Sequence, residues 1–171
     1  MQPLEIAILV CLCIVVLTVY YLYLIKDSTS DFISHPFWFD MNKDVIKIIM
    51  FFQIFAVIGF ITTVYSWIQT PPEKGIMKGS MLFFTLALFL LSAAAWPVVT
   101  YYKMPIATVS CIILTALASI LLLAGSIQEE ENVKWYRVLG LLFLCSVTVL
   151  GDGVLWNLNY LQKQKQKSLI N

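Results

Sequence analysis

From Ser80 to Ile127 the chain is almost continuously apolar. That is about twice what one membrane crossing needs, since a helix spans the hydrocarbon core of about 30 Å with about 20 residues at about 1.5 Å each. Such a run must turn back on itself, and Pro97 followed by Lys103-Met104-Pro105 supplies the break. The run therefore reads as two helices, 76–102 and 105–127, joined tightly enough to form an antiparallel hairpin. Further apolar runs at 4–25, 45–68 and 136–161 bring the total to five. The expected fold is all-α: a polytopic membrane protein with a five-transmembrane-helix bundle as its single domain and a basic cytosolic tail at 162–171.

Composition excludes the common alternatives. The chain is 60% hydrophobic and 12% charged, whereas soluble domains run at about 45–50% apolar and about 25% charged. So few polar side chains could not cover a water-soluble fold of this size. A net charge of +1 implies no polyanionic partner, so no nucleic acid is expected and the lipid bilayer is the expected partner. Unbroken runs favour helices over the short alternating strands of a membrane barrel. The first run lacks a basic leader and a small-residue cleavage site, and reads as a retained signal anchor.

Basic residues near the span ends set the expected orientation. Lys74, Lys78, Lys134 and Arg137 lie on one side; Lys26, Lys43, Lys47, Lys103, Lys163, Lys165 and Lys167 lie on the other. Seven against four places the C-terminus in the cytosol and the N-terminus outside. Tyrosines and tryptophans mark the ends of most spans, as the headgroup zone favours.

Catalytic machinery is not visible. Cys11, Cys13, Cys111 and Cys145 all fall inside spans and form no Cys-x-x-Cys pair. His35 is the single histidine and has no second ligand beside it. The sequence has no Gly-rich phosphate loop, Ser-His-Asp set or His-Glu-x-x-His. The expectation is a protein that is not an enzyme and carries neither cofactor nor metal.

Connections and packing signals are few. The long connection from Lys26 to Asp44 carries Phe32, Ile33, Phe37, Trp38 and Phe39. Such a loop either dips into the headgroups or folds over the bundle mouth as a lid. Ala107, Cys111, Ala118 and Gly125 form a small-residue stripe on the fourth helix, and Gly75–Gly79 formally matches GxxxG.

Asp152 breaks the apolar background of the fifth helix, between Gly151 and Gly153, about nine residues or roughly 13 Å from its end. An ionised carboxylate there costs about 2.5–3.5 kcal/mol, so it is expected to be protonated, hydrated or paired. Gln53, Ser92 and Thr115 fall about eight to ten residues from the same face and could complete a polar layer, with Gln53 or Thr115 as hydrogen-bond partner. Leu158, Tyr160 and Lys163 fit the short apolar–Tyr–basic pattern proposed for sterol contact; a plain positive-inside anchor is the preferred reading of the lysines.

Two segments carry a family resemblance. Leu90-Leu91-Ser92-Ala93-Ala94-Ala95-Trp96-Pro97, followed by Tyr101-Tyr102, is similar to the third-helix Trp-Pro motif of the translocator protein, or tryptophan-rich sensory protein, family. Asp152 through Asn159, with Trp156 between them, resembles the ending of that family's fifth helix. Gly59, Tyr65 and Trp67 echo its second helix. Departures are Asp152 in place of Asn, a first loop reduced to Pro36-Phe37-Trp38-Phe39, and no Pro-Tyr in the fifth helix. The resemblance implies a five-helix bundle that binds a sterol or a tetrapyrrole such as porphyrin in a cavity, often as a homo-oligomer. Candidate ligand-binding residues are then Gln53, Trp96, Asp152, Trp156 and Asn159. The alternative is a structural or assembly protein of a viral or organellar membrane, since multi-span proteins of large DNA viruses share this Lys/Ile/Asn texture. The interior discriminates: a ligand binder needs an apolar cavity of about 300–1,000 Å³, and a scaffold packs solid.

Overall fold

The computed structural model describes residues 1–26, 36–38, 41–72, 75–128 and 135–170. His35, the loop residues Phe32, Ile33 and Phe39, and Lys74 and Lys134 lie outside them. Five helices are each long and apolar enough to cross a membrane, as the apolar runs require. The first is α1, Pro3–Tyr20, extended by a π turn at Tyr21–Ile25. A 3₁₀ turn at Pro36–Trp38 precedes α2, Lys43–Gln69. The hairpin helices are α3, Ser80–Tyr101, and α4, Pro105–Ile127. The last crossing is one rod in three parts: α5 at Trp135–Ser146, a π-helical segment at Val147–Trp156, and α6 at Asn157–Ile170.

Local chemistry explains the ends. Pro3 and Pro105 open α1 and α4, where a missing N–H costs nothing. The Asn42 side chain accepts from the Asp44 N–H at 2.8 Å and caps α2. The α3–α4 hairpin closes through Lys103 at φ 57°, with Lys103 N–H donating to Thr100 O at 3.0 Å and Met104 N–H to Val99 O at 2.9 Å. Pro97 lies buried inside α3, which continues past it to Tyr101.

Two expectations change. The third helix starts at Ser80 and not at residue 76, because Gly75 (φ 84°) and Gly79 (φ 60°) both adopt left-handed backbone that ends helical propagation. The GxxxG spelling there is a turn, not a helix-packing surface. In the tail, helical backbone runs through residues 162–170 as the end of α6.

The helices share their faces in a definite order. α3 packs on α4, α4 on α5 and its π segment, and α5 on α2, while α1 leans on α3. Among the described residues α1 and α2 hardly touch, so the ring stays open between them. The tightest crossing joins α2 to α5, where Gly59 and Gly140 meet backbone to backbone; a Cβ on Gly140 would sit 2.6 Å from Gly59 Cα. With no hydrophobic drive between helices in lipid, such close approach supplies the cohesion. The buried face of α4 runs through Thr108, Ile112, Thr115, Ala118, Leu122 and Gly125, sharing only its last small residues with the predicted stripe.

The end of the bundle where α5 begins is closed by a buried arginine. Arg137 is 2% exposed. Its Nε donates to Ser66 Oγ at 2.8 Å and its Nη2 to Ser66 O at 3.3 Å, and its guanidinium lies 5.9 Å from the Trp67 ring centre. The charge therefore sits at the C-terminal turn of α2, where unsatisfied carbonyls favour a cation.

Candidate functional site

Two aromatic-rich packing clusters leave a space between them. One, around Leu86, Leu122 and Leu141, fills the half of the bundle near Trp67. The other, around Ile46, Ile112, Trp156 and Tyr160, fills the half towards α6. Between them lies a cavity of about 260 Å³ lined by α1, α2, α3, one residue of α4, and the α5–π rod. Its walls are mainly apolar, with Ala56, Phe60, Phe89 and Ala93 among them. The polar side chains that reach it are Tyr20, Gln53, Trp96, Thr115, Thr148 and Asp152, with Cys13 on the α1 wall. The volume lies just below the range of about 300–1,000 Å³ for enclosed small-molecule sites. This cavity, however, has a side opening. Leu17, Val57 and Ile61 line it and are 70%, 53% and 59% exposed, so the gap between α1 and α2 leads to the bilayer.

The polar groups divide into engaged and free. The Trp96 indole N–H donates to the Tyr20 hydroxyl at 3.0 Å. Thr115 Oγ1 lies 2.8 Å from Ser92 Oγ and 2.9 Å from Cys111 O, and Thr148 shares a hydrogen bond of 2.7 Å with Ser119. Gln53 and Asp152 are half-buried, face the cavity, and have no hydrogen-bond partner among the described residues. The expected bond from Asp152 to Gln53 or Thr115 is thus not formed. Thr115 is turned to its own helix and to α3, and the predicted layer is split into a Ser92–Thr115 pair and a carboxyl that faces open space.

Asp152 sits in the π-helical part of the last crossing, whose wider turn is uncommon and concentrates at functional sites. Its glycine neighbours act differently from each other. Gly151 takes ordinary contact from Ile49 at 3.6 Å, whereas a Cβ on Gly153 would lie 3.1 Å from the Thr148 carbonyl of the same rod. A side chain at Gly153 would thus press on the wide turn, which would have to give by a few tenths of an ångström.

Over the Trp96 end of the cavity the 3₁₀ turn Pro36–Trp38 of the first loop folds down as a lid. Phe37 lies 4.9 Å from Trp96 and 5.3 Å from Trp156 between ring centres, and the Trp156 indole N–H donates to Phe37 O at 3.1 Å. Trp38 is buried beside it. Of the two readings of the loop, the described part is a lid: a headgroup-dipping loop would leave these rings exposed.

The sequence-selected residues scatter unevenly. Gln53, Trp96 and Asp152 meet at the cavity. Trp156 stands behind Trp96 at 5.1 Å, under the lid and away from the cavity surface. Asn159 is not part of it; its Nδ2 donates to Leu155 O at 2.8 Å along its own helix. Leu158 is exposed, whereas Tyr160 is turned inward and stacked on Trp156 at 5.1 Å, so Leu158, Tyr160 and Lys163 do not share one outward face. Tyr20, which the sequence reading took for a headgroup anchor, is a cavity residue instead. No known family, characterised protein or solved structure matches the chain.

Proposed function

We propose that this multi-pass membrane protein is a non-enzymatic binder of a hydrophobic ligand, taken from the bilayer between α1 and α2 and held beside Trp96 and Asp152. The observation that carries this reading is the apolar cavity of about 260 Å³ with unpartnered polar groups on its wall and an opening towards lipid. A scaffold protein has no use for a space of this kind, since unfilled volume in a packed core costs stability. The resemblance to the translocator family suggests a sterol or tetrapyrrole. Of these the sterol agrees better with the wall, because the acidic side groups of a porphyrin would meet Asp152 with no basic side chain among the described lining residues to offset them.

The test is saturable crosslinking of a photoreactive sterol to the full chain in lipid nanodiscs, with protoporphyrin quenching of tryptophan fluorescence in parallel. Ala93→Phe, which fills the cavity from α3, should abolish sterol labelling while the helical circular-dichroism signal persists. Labelling that never saturates, or that survives in the Ala93→Phe protein, would overturn the sterol as the ligand; absence of saturable binding by every amphiphile tried would overturn the cavity as a ligand site.

A further inference from the structure

We propose that the ligand of this cavity is an amphiphile whose headgroup is a protonated amine, with the ammonium seated between Asp152, Gln53 and the rings of Tyr20 and Trp96. This rests on the cavity being a ligand site and narrows the chemistry of what fills it.

The wall has a consistent character. Among the described residues its one acidic side chain is Asp152, and no Lys, Arg or His lines it. Gln53 adds an amide carbonyl that no protein donor occupies among the described residues. Tyr20 and Trp96 add aromatic rings to the wall, and a desolvated cation is drawn to an aromatic ring. A carboxylate in hydrocarbon is stable when a cation pairs with it, and the described residues supply none at the cavity. An ammonium brought by the ligand completes the pair and donates its remaining protons to Gln53 and to Tyr20 oxygen. A neutral hydroxyl offers one donor and no charge, and a fatty carboxylate would be repelled.

The tail requirement follows from the opposite side of the cavity. Beyond the polar group the walls are Val16, Ala56, Phe60 and Phe89, and the exit past Leu17 and Ile61 is apolar and faces lipid. A head held at Asp152 therefore leaves its chain either curled in the cavity or extended through the α1–α2 gap. Charge-assisted hydrogen bonds are roughly twice as strong as neutral ones, so head chemistry and not tail length should set the ranking.

Matched single-chain probes separate the possibilities: dodecylamine, dodecanol and dodecanoate, titrated into the full chain in zwitterionic nanodiscs, with protein-free nanodiscs subtracted and tryptophan fluorescence read. The expected order is amine, then alcohol, then carboxylate, with the amine about tenfold tighter than the alcohol. Asp152→Asn should bring amine affinity down to that of the alcohol. Equal binding of amine and alcohol by the unaltered chain, or an amine preference that persists in Asp152→Asn, would overturn the amine assignment and leave the cavity as a ligand site. Absence of saturable binding by all three probes, together with a failed sterol test, would overturn both. Should Asp152→Asn misfold, the ranking of the three probes on the unaltered chain still decides the matter.

Discussion

Trp156 donates its indole N–H to the Phe37 carbonyl at 3.1 Å, so the last crossing holds the first loop down on the bundle mouth. Phe37 packs its ring against both Trp96 and Trp156, which also touch each other, joining three elements far apart in sequence. The lid is thus tied to the same rod that carries Asp152, four residues before Trp156.

Trp156→Phe keeps the ring stack and removes this one donor. Loss of that hydrogen bond to the Phe37 carbonyl costs about 1 kcal/mol. Backbone amides at 37–38 should exchange faster with deuterium in the variant, with the rest of the bundle unchanged. Identical exchange in both proteins would show that ring packing alone keeps the lid closed.

Gly140→Ala places a methyl where Gly59 backbone already lies, and neither helix has a flexible side chain there to yield. Overpacking of this kind costs about 1–3 kcal/mol, so the melting temperature in detergent should fall clearly. Gly151→Ala is the control, since its new methyl would meet Ile49 at an ordinary 3.6 Å. Similar losses for both variants would refute the assignment of Gly59–Gly140 as the tightest crossing.

Arg137→Gln removes a charge from the C-terminal turn of α2 and one of the donors to Ser66. Loss of a hydrogen bond to a charged group costs about 1.5–3 kcal/mol, so unfolding in detergent should need less denaturant. Tyr136, whose hydroxyl lies 2.7 Å from Ser66 Oγ, keeps part of the junction in place. Unchanged stability would mean that Arg137 acts on topology alone.

Why some of this was legible in the chain and some was not follows from range. Span number came from run length, a local property that the bilayer thickness fixes: Pro105 and the Gln69–Pro72 stop both fall where the helices begin and end. Asp152 stood out because one carboxyl in an apolar run is expensive wherever it points. Tyr20 did not, because a tyrosine at a span end satisfies the interface rule equally well from either face of the helix. Gly59 and Gly140 are separated by 81 positions, and nothing in either neighbourhood announces that they meet. Arg137 was counted as a topological charge; its burial depends on Ser66 and Trp67 ending the neighbouring helix at the same depth. The π segment is likewise silent in the sequence apart from Gly153, where a Cβ would press on the Thr148 carbonyl at 3.1 Å.

Asp152→Leu tests the stability side of the site. From the sequence alone Asp152 reads as a member of a polar layer, and its loss should then strand a partner and destabilise the bundle. With no hydrogen-bond partner among the described residues, no group is stranded. Removing the carboxyl instead lifts an insertion cost of about 2.5–3.5 kcal/mol, reduced by whatever water already relieves it in the cavity. The ligand-free Leu variant should therefore be more stable than the unaltered chain by about 1–2 kcal/mol, the pattern found where a binding residue is kept at the expense of fold stability. Asp152→Asn should fall between the two, since an amide is polar without being ionisable. Denaturant unfolding of the three proteins in one detergent, without added amphiphile, gives the order directly. A Leu variant less stable than the unaltered chain would mean that Asp152 holds the bundle together, and the polar layer would have to be restored.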